Sequence, residues 1–534
     1  MAPRPLVKPA LARRYVERGL WANETFFQVL ERQAAAFPER EVLCDARGRI
    51  TYGQLRERVE RCAHYLRRAG IGRGDVVTVQ LPNRIDFAVV FFALELVGAV
   101  ANKVNPDFRV RELEFIVNFS GSRAYVYPSD FRGFDYAEMA RTLKERCAGL
   151  KLVLSDDEIR TGIAACAPIG EDERVRMDPD EIFRMAFTSG TTGDPKCVLH
   201  SFNTTLYAAR LLNADMRVTE KDVLLIYLPL GLNWGYLTLL QTVLAGARAV
   251  LLERFAAGAA LDLIEKERVS YIATAPASIV AILNDASLKA RDLSSLRVVI
   301  TGGASAAVET IRAYQANVQG HLIELYGMLE TGFHTYTRFE DDPQAVNGTI
   351  GRVVGEMELR LIDEKGADVP HGEIGEIAAR GPTVHLGYHA NPEANVQAFT
   401  EEGWFRTGDL GRYVDGQGNV QITGRRKEII NRGGKKFFPR EVEEILYTHP
   451  KILHAAMVGL PDPRLGERNC LCVVPKEGAE LELDELVEFL KGQVADYKLP
   501  ESLERFSELP LTGTGKLRRH ILRDWVLERR GKAV

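Results

Sequence analysis

The residues best suited to chemistry lie in the segment Thr188-Ser-Gly-Thr-Thr-Gly-Asp-Pro-Lys196. Thr188, Ser189, Thr191 and Thr192 offer hydroxyl donors, and Lys196 adds a mobile positive charge. Gly190 and Gly193 permit positive φ and let backbone N–H groups come close to an anion. That combination suits phosphate. It is not the Walker arrangement, because no Gly-Lys-Ser/Thr closes the loop. In isolation the same segment also reads as a polar surface turn, so the elements around it must decide.

Those elements alternate. The apolar run 183–187 (FRMAF) reads as a buried strand leading into the loop. Upstream, Thr25 with Gln28 and Thr51 with Gln54 have the spacing of helix-starting capping boxes. The first helix carries Phe26, Leu30, Ala34 and Phe37 on one face and stops at Pro38; the second carries Leu55, Val59, Cys62 and Leu66 and stops at Gly70. Strands are expected at 41–44 and 75–81, an apolar segment runs over 87–97, and the residues before Thr25 read as a loose leader. Between 121 and 180 the pattern weakens, with strands at 124–127 and 151–154 among charged loops. Downstream come strands at 223–228, 248–252, 269–273 and 297–301, a helix over 236–245, and Gly302-Gly303-Ala304 at the end of the last strand. Strand and helix in alternation predict an α/β fold with largely parallel sheets, whose ligands sit at the carboxyl ends of the strands.

From Gly351 the texture changes to short alternating strands, 356–363 and 375–380, indicating a small β subdomain. The charged, glycine-flanked segments 424–428 and 431–434 suit a hinge. The expected division is therefore a large N-terminal unit, 1–426, and a small mobile α+β unit, 427–534. The latter should have a helix from Pro439, strands at 455–460 and 471–474, and a helix at 484–489.

Bulk properties limit the function. A chain of 534 residues exceeds one ordinary core, and its 46% hydrophobic and 27% charged content is that of a globular protein. Its 69 basic and 73 acidic residues give a net charge of −4, so no global basic field points to nucleic acid or an anionic membrane. Seven cysteines, an odd number without CxxC or zinc-ligand spacing, read as reduced thiols. The first residues lack the apolar core of a secretory signal, and no run approaches the ~18 apolar residues of a membrane span. A cytoplasmic location is expected.

Four further stretches follow the loop in order: Tyr326-Gly-Met-Leu-Glu330, Thr407-Gly-Asp409, Gly424-Arg-Arg-Lys-Glu428 and Pro510-Leu-Thr-Gly-Thr-Gly-Lys516. Together with 188–196 they resemble the adenylate-forming family of acyl-CoA synthetases, peptide-synthetase adenylation domains and firefly luciferase. The resemblance runs from about Phe26 to Arg518. It implies that a carboxylate attacks the α-phosphate of MgATP to give an acyl-AMP, whose acyl group a thiol then takes. Charge builds on phosphate oxygens in the first step, so positioned cations and donors are what it needs.

By this resemblance Thr188, Ser189, Gly190, Thr191, Thr192, Gly193 and Lys196 hold the β- and γ-phosphates. Tyr326 stacks on adenine against Gly302, Gly303 and Ala304, and Glu324, Leu325, Gly327 and Met328 complete that strand of the nucleotide site. Glu330 is the expected magnesium ligand, Asp409 accepts the ribose hydroxyls, and Arg425 assists. Lys516 matches the catalytic lysine, Lys427 the hinge, and Gly433 and Gly434 the passage for the pantetheine arm of coenzyme A. Two departures stand out. Leu329 replaces the usual threonine, and Cys197 follows Lys196 where glycine is common; the mechanism requires no enzyme thiolate, so Cys197 is read as packing.

The segment 228–236 aligns with the lining of the acyl pocket, where Asn233 and Trp234 take the place of a frequent histidine or other aromatic. Trp234 could flank a flat or cyclic acid or shorten the pocket, and equally could be a core residue. No charged residue in this segment would recognise an amino group or a second carboxylate. The expected activity is an ATP-dependent acid–CoA ligase for a medium-chain, alicyclic or aromatic carboxylate. The alternatives are an acyl-AMP ligase that loads a carrier-protein phosphopantetheine, resembling 2,3-dihydroxybenzoate ligases, and a nucleotide-binding regulator on the same fold. A homodimer is left open.

Overall fold

The computed structural model describes residues 9–188, 195–304, 306–343, 347–511 and 517–531. Two mixed sheets form the large N-terminal domain. The six-stranded one runs, edge to edge, Leu152–Ser155, Ser122–Tyr127, Val76–Val79, Val100–Lys103, Ile182–Phe187 and Cys197–Ser201. Its pairings are parallel except the last, an antiparallel pair in which Phe187 faces Cys197. The nine-stranded sheet is parallel from Glu41–Asp45 through Arg248–Leu251, Val223–Ile226, Tyr271–Thr274 and Val298–Gly302 to His321–Met328. Antiparallel strands close both edges.

Helices Ile85–Leu96 and Asn233–Ala245 explain how the layers are held. Neither has a polar face: every residue of the first is buried except Asp86, and Trp234 to Val243 are buried in the second. A helix apolar all round must be covered on all sides. The largest core cluster joins these helices to strands of both sheets. Phe183 of the strand before the loop packs against Phe26, Phe91 and Phe202 with ring centroids 4.7 to 5.4 Å apart. The loop's base is thereby fixed to the core.

Helix Tyr52–Arg68 starts as the capping box requires: Gln54 N–H donates to Thr51 Oγ1 at 3.3 Å, and Thr51 N–H donates to Gln54 Oε1 at 3.1 Å. The reading of a loose leader is corrected. From Pro9–Glu17 the chain is helical, Tyr15 and Trp21 are buried against each other, and the Trp21 indole donates to the Pro382 carbonyl at 3.1 Å. The weakly patterned stretch also contains helices Tyr136–Arg146 and Asp156–Ala164, with Asp135 and Ser155 as caps.

A four-stranded antiparallel sheet follows, Glu358–Ile362, Gly375–Arg380, Phe405–Tyr413 and Val420–Arg425. The small C-terminal domain is built on a long hairpin, Ile452–Asp462 with Gly466–Pro475, flanked by helices Pro439–Leu446, Leu483–Leu490 and Arg519–Gly531. The fold is α/β with a large N-terminal and a small C-terminal domain, as expected. All seven cysteines are buried and unbridged. Burial pushes the Cys197 thiol well above the usual range, which leaves it inert. Among the described residues, no helix is long and apolar enough to cross a membrane.

Candidate active site

The ends of the 188–196 segment are tied together. Thr188 N–H donates to the Lys196 carbonyl at 2.9 Å, and Lys196 N–H donates to Thr188 Oγ1 at 3.1 Å. Ser189, Gly190, Thr191, Thr192 and Gly193 lie outside the described residues. The Lys196 ammonium lies 4.7 Å from the centroid of the Tyr388 ring, whose hydroxyl donates to Glu330 Oε1 at 3.1 Å. Burial holds Lys196 below the ordinary lysine value; the Glu330 charge opposes this, and Lys427 adds to it. Lys196, Tyr388, Glu330 and Lys427 thus form one electrostatic group drawn from four elements.

The residues expected to meet the nucleotide are set by backbone pairing. Gly302 and Leu325 are cross-strand partners on neighbouring parallel strands. A Cβ on Gly302 would lie 2.5 Å from the Leu325 carbonyl oxygen and 3.0 Å from Trp234 Cζ2, so only glycine fits. Gly303, at φ +82, turns the chain out of the strand. Asp409 and Arg425 face each other across an antiparallel pair, with Arg425 Nε donating to Asp409 Oδ1 at 2.8 Å. The Tyr326 hydroxyl donates to the other oxygen at 2.9 Å, and burial together with the Asp409 charge drives that phenol well above its usual pKa. A carboxylate has about four lone-pair sites, so Asp409 retains acceptor capacity for a diol.

A cleft of about 1860 Å³ brings these groups together. Thr188, Lys196, Asn233, Trp234, Gly303, Leu325, Gly327, Met328, Glu330, Asp409, Arg425 and Lys427 line it. Gly302, Ala304, Glu324 and Tyr326 do not, although the Tyr326 hydroxyl reaches Asp409. Burial raises the Glu324 carboxyl to about 8, with the Arg440 charge pulling the other way. Gly433 and Gly434 are exposed and stand away from the cleft wall.

The opposite wall belongs to the C-terminal domain: Val458, Gly459, Glu467 and the segment from Arg518 to Leu527. Lys516 lies outside the described residues. The chain on either side of it is pinned by a bridge between Leu511 and Leu517 and by Arg518 N–H donating to the Pro510 carbonyl at 2.7 Å. Arg519 then donates to Glu428 at 3.3 Å, which ties this helix start to the 424–428 segment.

Sequence reasoning missed three buried polar groups near Asn233 and Leu329. Lys103, Arg184 and His200 come from separate strands and are each 2% exposed. Their burial is invisible in sequence, where each reads as an ordinary polar residue at a strand end or interior. Burial, then the Arg184 charge, depresses His200 well below the imidazole range, so the ring is neutral. Its Nε2 lies 2.7 Å from the Leu329 carbonyl and therefore carries the proton. Tyr388 was also missed; its signal was the aromatic in the GYHANPEAN segment, 387–395.

Residues 30–389 match the AMP-binding enzyme family, and residues 441–516 match the AMP-binding enzyme C-terminal domain. The chain is 33% identical to a medium-chain fatty-acid–CoA ligase of Escherichia coli, covering 96% of this chain and 93% of that protein. It is 32% identical to a 2,3-dihydroxybenzoate-AMP ligase of Bacillus subtilis, covering 97% of both. ATP-bound MatB from Rhodopseudomonas palustris superposes with a TM-score of 0.85 at 26% identity, covering 94% of this chain and 99% of that one. The tied ends of the 188–196 segment, the Asp409–Arg425 couple and the C-terminal wall of the cleft thus sit in a chain that belongs to the AMP-binding enzyme family.

Proposed function

We propose that the protein is an ATP-dependent carboxylic acid–CoA ligase that works through an acyl-AMP. The observation that carries this is the convergence of Thr188, Lys196, Glu330, Asp409 and the Arg518 end of the C-terminal domain on one cleft. Lys196 and the loop hydroxyls hold the pyrophosphate end of ATP, Asp409 accepts the ribose hydroxyls, and Tyr326 flanks the base. Lys516 brings charge to the acyl carboxylate and the α-phosphate as they react, which is where negative charge builds. A carboxylate on the cleft wall fits magnesium, which keeps several waters and takes one or two protein carboxylates; Glu330, oriented by Tyr388, would hold it, and the metal would neutralise phosphate charge.

After adenylation, residues 427–534 turn about Lys427 as one unit, withdraw Lys516 and bring Gly433 and Gly434 to the cleft. The exposed, glycine-rich 433–434 turn, at φ +59 and +82, has no side chain to obstruct a thiol-bearing arm. The acid itself meets an apolar wall of Val104, Phe108, Phe115, Ile116, Leu232 and Trp234, which suits an aromatic, alicyclic or medium-chain body.

A second reading has the same first half-reaction but a carrier-protein phosphopantetheine as acceptor. The near-equal identity to a CoA ligase and to an aryl-acid AMP ligase favours it. Pyrophosphate exchange across a panel of carboxylic acids, followed by thioester detection with free CoA, tests both. Exchange followed by CoA thioester supports the first reading, and exchange without it supports the second. Absence of exchange with every acid removes both and leaves a nucleotide-binding regulator.

A further inference from the structure

Glu330 stands at the centre of a three-residue turn, 329–331, between strands His321–Met328 and Gly332–Tyr336. Met328 and Gly332 pair across its neck, and Gly332, at φ +63, closes it. A turn on a cleft wall ordinarily gives its carbonyls to water. Here all three accept from the protein. The Leu329 carbonyl accepts from His200 Nε2 at 2.7 Å, the Glu330 carbonyl from the His385 N–H at 2.7 Å, and the Thr331 carbonyl from the Thr383 hydroxyl. Thr383 and His385 belong to the segment that also carries Tyr388, whose hydroxyl donates to Glu330 Oε1 at 3.1 Å.

The donors form one unit. His200 lies on strand Cys197–Ser201, and segment 383–389 is bonded along that strand: Leu386 N–H donates to the Leu199 carbonyl at 2.9 Å, Leu199 N–H to the Gly387 carbonyl at 3.0 Å, and His389 N–H to the Cys197 carbonyl at 2.8 Å. The same strand begins directly after Lys196, so the unit that grips the Glu330 turn also carries Lys196. His200 and Thr383 are both buried. The neutral His200 ring, with its proton on Nε2, needs a donor at Nδ1, and Thr204 Oγ1 stands 3.1 Å from it. The imidazole thus brings no charge to the site, and its single proton is given to a main-chain carbonyl. Leu329 has an apolar side chain, so that carbonyl is where the turn can be held at this position. Water cannot readily replace a buried donor, and its loss leaves the carbonyl unmatched.

We propose that His200 and Thr383 are positioning residues for Glu330: by holding the carbonyls of turn 329–331 they fix the carboxylate that would meet magnesium at a set spacing from Lys196. Both act through the backbone of the turn. The inference rests on the acid-ligase reading, with Glu330 as the magnesium ligand, and deepens it.

The test is calorimetric titration of ATP into the full chain, once with magnesium chloride and once with EDTA, which reads the share of ATP affinity that magnesium supplies. Loss of a group that orients a metal ligand typically lowers metal affinity about tenfold to a hundredfold. The wild type should bind ATP more tightly with magnesium. His200→Leu and His200→Asn should lose most of that gain, about tenfold, while binding ATP in EDTA within about twofold of wild type. His200→Gln should keep it, because its amide nitrogen is as many bonds from Cα as Nε2 of histidine, whereas that of asparagine falls short. In pyrophosphate exchange the MgATP KM should follow the same order with the acid KM unchanged. Urea unfolding establishes that His200→Leu is folded; where it is not, Thr383→Val, which lacks the hydroxyl, carries the same comparison. Equal losses with and without magnesium, an undiminished magnesium gain in the leucine variant, or glutamine behaving as leucine overturns the proposal. A wild type indifferent to magnesium removes the assignment of Glu330 to the metal and this proposal with it, while exchange with a carboxylic acid still reports separately on the ligase reading.

Discussion

Replacing Asp409 by asparagine keeps the size of the side chain and removes its charge. In the wild type one oxygen accepts from Arg425 Nε at 2.8 Å and the other from the Tyr326 hydroxyl at 2.9 Å. An amide can accept at one position only, and its NH2 must then confront a donor. Losing a hydrogen bond to a charged group costs about 1.5–3 kcal/mol and a neutral one about 1 kcal/mol. The Arg425 side chain is 36% exposed, so water recovers part of its loss and the estimate falls at the lower end, about 2 kcal/mol of stability. Urea unfolding of Asp409→Asn, Arg425→Met and the double variant should give a coupling of about 1 kcal/mol. The consequence for ATP is larger, because two ribose hydroxyls then meet a single neutral acceptor, and the ATP KM should rise about tenfold to a hundredfold with the acid KM nearly unchanged. Exchange with 2′-deoxy-ATP sharpens this: the wild type should discriminate against it, and the variant should scarcely do so. An ATP KM within twofold of wild type, with discrimination retained, would refute the assignment of Asp409 to the ribose.

Gly302→Ala places a methyl 2.5 Å from the Leu325 carbonyl and against Trp234, so the paired strands must part; a loss of about 1–3 kcal/mol and a raised ATP KM are expected, and unchanged unfolding counts against the close approach. His334 is buried, its Nε2 lies 3.0 Å from the Glu358 carbonyl, and burial lowers its pKa to about 4. The folded state disfavours the charged ring, so this stability is complete above the unfolded value near 6.5 and is lost as pH falls towards 4, by about 1.4 kcal/mol per pH unit. His334→Gln removes the effect, so the stability difference between wild type and variant should shrink on acidification; a difference independent of pH excludes it. Lys516→Ala should lose pyrophosphate exchange by several orders of magnitude yet still convert supplied acyl-AMP to thioester, and equal loss of both half-reactions argues against a two-orientation mechanism.

Local patterns were legible wherever they were self-contained. The capping pairs at Thr51 and Gln54, the strand before the phosphate loop and the glycine pair after Thr301 are written in neighbouring residues, and the fold placed them as read. The N-terminal leader misled because its anchor, the Pro382 carbonyl accepting from Trp21, lies in another part of the chain. Helices Tyr136–Arg146 and Asp156–Ala164 were missed because charged outer faces blur a periodicity that only burial of Met139, Leu143 and Ile159 reveals.

The sequence by itself determined the α/β class and the order of the adenylating motifs, because spacing and side-chain chemistry are properties of adjacent residues. The tertiary structure alone decided which groups meet. It set Tyr388 against Glu330 and Lys196, and it left Lys103 and Arg184 in the core over one ring. The segment 228–236 carries no charged residue, whereas the fold brings Lys103 from a distant strand to line the cleft beside Asn233 and Trp234. The physical reason is that charge in a pocket depends on burial and on partners contributed by distant strands, and neither is encoded within any one segment of the chain.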